Sequence, residues 1–577
     1  MNDLLKRLAP LVLGPALALA LGGCATLEAP DTAPAAPAAQ AARGAVSAAD
    51  PRAQAAGEAI LAKGGSATDA AIAVMLALTV VEPQSSGIGG GGFMVHAGED
   101  GVTTFDGRET APAAATPTRF LDEDGKPLPR ESRVTSGLSV GVPGNLALAA
   151  GAHAEHGRLP WRDLFEPAIA LAREGFVMNR RLNGSLDEAE GRADRDAAAR
   201  AVFFGADGEP LPVGTRITVP ELADTLEAIA ESGAAAFYRT RADALAAHVA
   251  QETPQDGRMS ADDITSYSAK EREAVCTPYR AYRVCGMGPP SSGGIAVAQI
   301  LAQLERFDLA RLGPQSVTFW HLFLESQRLA YADREVYVAD SDFVEVPVEG
   351  LLDPAYLARR SALIDPAGAL KVAEPGTPPG APMARADGDE PAENGTSHFA
   401  VADGEGNAVS YTSTIEGAFG SGLFHGGFYL NNELTDFSLT PEKDGVPIAN
   451  RVEGGKRPRS SMAPTVLYDA DGDIVLVIGA AGGPTIPVQV SRSIVGVVDF
   501  GMSASEALGL PLIMAFGSTV IIEEDTVLTG MTEQLKALGH EQIRSFAPSL
   551  KANALRRTGD GWESARDPRI EPKLGYE

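Results

Sequence analysis

The feature that most constrains this chain is an abrupt change of composition at residue 395. Residues 372–395 read VAEPGTPPGAPMARADGDEPAENG, a run of Pro, Gly, Asp and Glu with almost no large apolar side chains. Such a run cannot bury enough apolar surface to offset the entropy of ordering it, so 371–395 is expected to be exposed and mobile. Directly after it, residues 396–414 (TSHFAVADGEGNAVSYTST) alternate apolar and polar side chains around a Gly-rich turn, the pattern of a β-hairpin. Residues 463–479 (APTVLYDADGDIVLVIG) repeat that pattern. A tether open to cleavage therefore ends where a β-rich region begins, and the first residue of that region is Thr396.

That position has chemical consequences. Asn394-Gly395 is a turn dipeptide. If the Gly395–Thr396 bond is cut, Thr396 gains a free α-amine beside its own hydroxyl. An α-amine has an unperturbed pKa of about 7.7–8.0, near working pH, where a general base is most effective. A hydroxyl is a weak nucleophile until such a base is adjacent. One residue would then supply both nucleophile and base, and the same hydroxyl could make the cut by attacking the Gly395 carbonyl.

The N-terminus reads as targeting sequence. In MNDLLKRLAPLVLGPALALALGGC, Lys6 and Arg7 precede an apolar run from Leu8 to Leu21. The run is shorter than the roughly 20 residues of a membrane-spanning helix, and small residues follow it, the order of a secretory signal. Leu21-Gly22-Gly23-Cys24 resembles a bacterial lipobox. Residues 1–23 are thus expected to be a lipoprotein signal peptide and Cys24 the lipidated first residue. Ala25 is not acidic, which favours the outer membrane over inner-membrane retention. Residues 24–45 are an Ala/Pro-rich tether. The expected location is the periplasm, with membrane contact only through the lipid.

The chain has 48 basic against 76 acidic residues, net −28, which argues against nucleic acid. Three cysteines are too few for a disulfide scaffold or a Cys-rich zinc site. The two outside the signal, Cys276 and Cys285 in AVCTPYRAYRVCG, flank a turn between two short β-prone runs; they could pair across a hairpin or remain buried thiols.

Ser66-Ala67-Thr68-Asp69 opens a helix in the manner of a capping box, and the AAIAVMLALTVV that follows is apolar nearly all round, as in a buried helix. Residues 145–380 are Ala-rich and largely helical by pattern. Three motifs invite chemistry and fail on context. Gly87–Gly92 (GIGGGG) fits a dinucleotide loop, but a helix precedes it and a strand follows, the reverse of what such a loop needs; close backbone packing explains it better. Gly137–Gly141 (GLSVG) fits a nucleophile elbow at Ser139 but lacks the hydrophobic strand before it. His540-Glu541 lacks the second His of a zinc protease.

Seven motifs occur in one order: GGSATDAAIAVMLALTVVEPQSSGIGGGGF, DGRETAP, GPPSSGG, NGTSHFAVAD, NNELTDFS, RPRSSMAPT and GAAGGP. Together they resemble the γ-glutamyltranspeptidase (glutathione hydrolase) family of N-terminal-nucleophile hydrolases over nearly all of residues 46–577. The resemblance implies an α/β (α+β) fold, a four-layer α/β/β/α sandwich. It is built from a large subunit, 46–395, and a small catalytic subunit, 396–577, that pair as a heterodimer after autocatalytic cleavage between Gly395 and Thr396. No metal or organic cofactor is implied.

Site roles follow from the same motifs. Thr396 matches the nucleophile, Thr414 the residue that orients it, and Gly482 with Gly483 the oxyanion-hole N–H pair. Arg108 matches the partner of the substrate α-carboxylate, with Ser460 and Ser461 as hydroxyl donors to it. Glu433 and Asp436 match acceptors for the substrate ammonium. The implied substrates are glutathione and related γ-glutamyl compounds, with water, an amino acid or a peptide as acceptor.

This chain departs from the family pattern in three places. Glu416 stands where several members have an Asn that helps bind the glutamyl end; an acid there can accept from the ammonium but would repel the carboxylate. The stretch LTPEKDGVPIANRVEGGK after Phe437 is shorter than the active-site lid of some members, so a more open site is expected. Pro484 replaces a small polar residue and cannot donate a backbone hydrogen bond. Competing readings are a glutaryl/cephalosporin-type acylase of the same fold, a non-processing structural lipoprotein, and a hydrolase built on Ser139.

Overall fold

The computed structural model describes residues 44–189, 191–382, 386, 395–559 and 561–576. The signal peptide, Cys24, nearly all of the 24–45 tether and residues 387–394 lie outside these.

Two six-stranded sheets form the centre. In chain order their strands are β1 (Ala45–Ala48), β2 (Gly91–Gly98), β3 (Gly101–Asp106), β4 (Lys270–Arg272), β5 (Val275–Tyr279), β6 (Tyr282–Gly286), β7 (Gly395–Ala402), β8 (Ala408–Glu416), β9 (Thr465–Tyr468), β10 (Ile474–Ala481), β11 (Lys551–Thr558) and β12 (Gly561–Arg566). The first sheet runs β1-β7-β8-β2-β3-β4, the second β12-β11-β10-β9-β6-β5. All neighbours within both are antiparallel. β7 and β8 pack face to face against β10. Helices α1 (Ala67–Val81) and α2 (Asn145–His156) cover the first sheet, and α3 (Gly293–Leu304), α4 (Val317–Tyr337) and α5 (Ile486–Val498) lie on the side of the second. The four layers are those the family resemblance implies.

The two-residue period of a strand sorts its side chains between layers. Phe399, Val401, Val409 and Tyr411 point into the core shared with α1. Ala400, Ala402 and Ala408 point the other way, against Val466, Val477 and Leu555 of the second sheet. Thr396 and Thr414 have the same parity as these alanines, so both hydroxyls lie on the face between the sheets. Ser397, of opposite parity, reaches the helix side and donates to Glu82 just past α1 (2.7 Å).

Helix α1 is capped as its sequence indicates: Ser66 accepts from the Asp69 N–H while Asp69 accepts from that of Ser66. Every residue of α1 is buried, which its all-round apolar surface requires. The glycine run then passes under the hairpin β7–β8. A Cβ on Gly90 would lie 1.9 Å from the Thr414 carbonyl oxygen, and one on Gly89 2.0 Å from that of Tyr429. Close backbone approach is therefore the function of these glycines.

Strands β5 and β6 form the hairpin suggested around the cysteines. Cys276 and Cys285 are direct cross-strand partners, with Cα atoms 4.1 Å apart, and are joined by a disulfide. The expectation of an exposed segment over 371–395 holds for most of its described first part, 371–382, although its backbone is anchored at several points. The Gly376 N–H donates to Asp333 (2.8 Å), its carbonyl accepts from Tyr337 (2.7 Å), and the Glu374 carbonyl accepts from Arg360 (2.9 Å). Backbone groups pinned by buried side chains replace the apolar contacts this segment lacks. Residues 371–382 contain no helix or strand.

Candidate active site

Thr396 is the second residue of β7 and pairs directly with Thr414 of β8. Cross-strand partners have Cβ atoms about 4.5–5.5 Å apart, which brings the two hydroxyls to 3.1 Å. Thr396 Oγ1 also lies 2.6 Å from the carbonyl oxygen of Gly395, and Thr414 Oγ1 donates to the same oxygen at 2.7 Å. The Glu416 N–H donates to Thr414 Oγ1 (2.8 Å) across a register shift in the ladder. A hydroxyl has one proton and two acceptor lone pairs. With its proton on the Gly395 carbonyl, Thr414 polarises the bond that precedes Thr396. Once that carbonyl is gone, the same proton can serve Thr396 Oγ1.

Thr396 opens into a cleft of about 690 Å³ that also exposes Glu416, Gly417, Ala481 and Gly482. Gly482 and Gly483 follow β10 at φ 123° and 55°, a left-handed stretch that glycine adopts without strain. It turns the chain sharply into α5. The Thr485 N–H and hydroxyl close on the Gly482 carbonyl (3.2 and 2.8 Å). Pro484 lends its carbonyl to the Tyr331 hydroxyl, so its missing N–H is not required at this turn.

The predicted glutamyl-binding residues converge, but on each other. Arg108 is fully buried and its two terminal nitrogens pair with Glu433 and Asp436. Its remaining donors reach the backbone carbonyls of Pro458 (3.2 Å) and Arg459 (2.8 Å). Ser461 Oγ accepts from Arg334 (2.8 Å), and Ser460 Oγ from the Met462 N–H (3.2 Å). A zwitterionic head group entering here would have to exchange partners: its carboxylate would take Arg108 as its ammonium took the acids. The charges balance before and after such an exchange.

Glu416 links this cluster to the cleft. It sits at φ 71°, uncommon for a residue with a side chain, and its carboxylate accepts from Asn432. Burial, then the nearby Asp436 charge, pushes its carboxyl up to about 8. Burial likewise raises Glu109 to about 8, and raises Glu433 against the pull of Arg108. Four acids thus crowd one guanidinium.

Sequence reasoning missed a second cluster. Lys551 at the start of β11 donates to Glu82 (3.0 Å) and to Ser397 (2.9 Å), and Arg181 pairs with Glu82. Burial pushes the Lys551 ammonium well below its ordinary pKa. Glu82 falls inside the motif EPQSSGIGGGG, but only the fold shows that it lies against β7, the strand of Thr396. Ser139 is buried and donates to the Val134 and Ser136 carbonyls (2.7 and 2.9 Å). His540 meets His321, ring nitrogens 2.8 Å apart.

A sequence model of the family described as gamma-glutamyltranspeptidase matches residues 53–574. The chain belongs to the γ-glutamyltranspeptidase family. Among relatives, it is 39% identical over 514 residues to a glutathione hydrolase proenzyme of Bacillus subtilis (strain 168), covering 86% of this chain and 85% of that one. Among solved structures, it resembles a cephalosporin acylase from Bacillus halodurans with a TM-score of 0.79 at 28% identity, covering 91% of this chain and 94% of that one. A γ-glutamyltranspeptidase from Helicobacter pylori matches 56% of this chain and 91% of its own at TM-score 0.53 and 36% identity.

Proposed function

We propose that this chain is a self-processing γ-glutamyl hydrolase and transferase acting on glutathione and related γ-glutamyl compounds. In processing, Thr396 Oγ1 attacks the Gly395 carbonyl carbon, and its proton passes to the amide nitrogen of Thr396 as the C–N bond breaks. The resulting ester between Gly395 and Thr396 is hydrolysed by water. This leaves a carboxylate on Gly395 and a free amine on Thr396.

In turnover, that amine takes the Thr396 hydroxyl proton as the oxygen attacks the γ-carbonyl of the donor. The N–H groups of Gly482 and Gly483 receive the developing oxyanion; one such donor contributes about 2.7–4 kcal/mol in other acyl-transfer enzymes. The amine returns its proton to the departing amine of the leaving group. Water or the amine of an amino acid or peptide then repeats the attack on the γ-glutamyl-Thr396 ester. Arg108, Ser460 and Ser461 hold the donor carboxylate. Glu433, Asp436 and Glu416 hold its ammonium.

The observation that carries this reading is the contact of the Thr396 and Thr414 hydroxyls with the Gly395 carbonyl, at the mouth of a cleft that holds Gly482. An acylase acting on glutaryl or cephalosporin amides would use the same nucleophile. Three carboxylates gathered for an ammonium favour the γ-glutamyl donor over a glutaryl group, which has none. The N-terminal LGGC supports an exported, outer-membrane-anchored lipoprotein with Cys24 lipidated, and labelling of cells with palmitate tests this: a Cys24→Ser chain that still takes up label removes it.

The decisive experiment is intact-mass analysis of purified protein together with γ-glutamyl-p-nitroanilide turnover. Wild type should give two fragments, the smaller beginning at Thr396, and Thr396→Ala a single chain without turnover. Folded wild-type protein that stays uncut refutes the proposal.

A further inference from the structure

The cleft at Thr396 is walled by cations, in a chain of net charge −28. Arg130, Arg180, Arg181, Arg192, Lys551 and Lys573 line it, against the acids Glu188 and Glu416. The inner two, Arg181 and Lys551, are held by Glu82. The outer four are different. Arg192 donates to the Ala418 carbonyl (3.1 Å) and Lys573 to the Ser549 hydroxyl (2.8 Å), both neutral partners. Arg130 and Arg180 are exposed, and neither forms an ion pair with a described residue. Burial works against the Arg192 cation, the nearby Glu416 carboxylate favours it, and the positive charge of Arg130 works against it. Like charges gathered in a concave wall cost stability and focus an attractive field for anions.

The position of this wall assigns it to one part of the substrate. The γ-glutamyl head belongs with Arg108, Glu433 and Asp436, behind Glu416 and away from the cleft lining. The group beyond the scissile bond, whether leaving or accepting, then faces the cleft into which Thr396 opens. We infer that Arg130, Arg180, Arg192 and Lys573 form a carboxylate-binding subsite for that group, so that the preferred substrates are acidic γ-glutamyl peptides. This rests on the proposed reaction at Thr396 and adds the chemical class of what leaves and what accepts.

The test compares two chromogenic donors that differ by one carboxylate on the leaving group, γ-glutamyl-4-nitroanilide and γ-glutamyl-3-carboxy-4-nitroanilide. The ratio of kcat/KM, carboxylated over plain, is the readout. Arg130→Gln and Arg180→Gln should each lower it by up to about fivefold, the range of a solvent-exposed ion pair. Arg180→Lys should restore most of it. Raising salt from about 0.15 to 1 M shrinks the screening length from about 8 to 3 Å and should lower the wild-type ratio. Both arginines are exposed, and processing into two fragments reports that the variants fold. A ratio indifferent to both substitutions and to salt overturns the subsite. So does an equal fall in Arg359→Gln, which removes a cation outside the cleft. Wild type that turns over neither donor overturns the Thr396 reaction itself, and the subsite with it.

Discussion

Gly90→Ala probes whether the position of Thr414 governs self-cleavage, without touching a reacting group. Gly90 does not occupy the left-handed region, so alanine can adopt its backbone and the only obstacle is space. The new Cβ would lie 1.9 Å from the Thr414 carbonyl oxygen and 2.8 Å from Ile415 Cγ2, where real contacts stay above 3.0 Å. The strand must retreat by about 1.1 Å at Thr414, the difference of those two distances. Because β8 lies between β2 and β7, a retreat from Gly90 drives Thr414 toward β7 and distorts its 2.7 Å hydrogen bond to the Gly395 carbonyl. Overpacking of this size costs about 1–3 kcal/mol of stability, and a misplacement near 1 Å slows a positioned reaction by about a hundredfold. The assay is the appearance of the two fragments on a denaturing gel with time after purification, with circular dichroism to confirm folding. Gly151→Ala is the control: it lies within α2 with open space around its Cβ, and should process as wild type. If folded Gly90→Ala protein cleaves itself at the wild-type rate, the placement of Thr414 is not what enables the cut.

Glu416→Gln should remove a pH dependence. The Glu416 carboxyl is raised from 4.5 to about 8 in the folded protein, so its contribution to stability is fully present below the lower value and lost as pH rises to the upper one; the fall in Tm across that window should shrink in the variant. The ratio of wild-type to variant kcat/KM for γ-glutamyl-p-nitroanilide should rise through about pH 8, because only the wild type gains a charge that receives the ammonium, and a ratio that stays flat across that pH would be the contrary result. Ser139→Ala should lose two buried hydrogen bonds, about 1 kcal/mol of stability in net terms. It should leave processing and turnover intact; loss of turnover with the fold preserved would make Ser139 the nucleophile.

Much of this was legible in sequence because it is local. A capping box, an apolar helix surface and the two-residue alternation of β7 and β8 each depend on near neighbours, so Ser66, α1 and the hairpin could be read directly. Alternation even settles which face carries Thr396 and Thr414, since parity survives any packing. The exposure of 371–382 was legible in its composition, but its backbone anchors were not, because Asp333, Tyr337 and Arg360 lie on helices elsewhere in the chain. Composition records a segment's own apolar content, not what the rest of the chain offers its backbone.

The order of motifs carried the family and the fold and nominated the site residues, because those were read as patterns along one chain. What side chains do to one another across the chain was decided only in three dimensions. Arg108 saturated by Glu433 and Asp436, Lys551 held beneath Ser397 by Glu82, and four cations gathered on one wall of an acidic protein join residues hundreds of positions apart. Coulomb energy and burial depend on distance in space and on the exclusion of water, and neither is a property of spacing along a sequence.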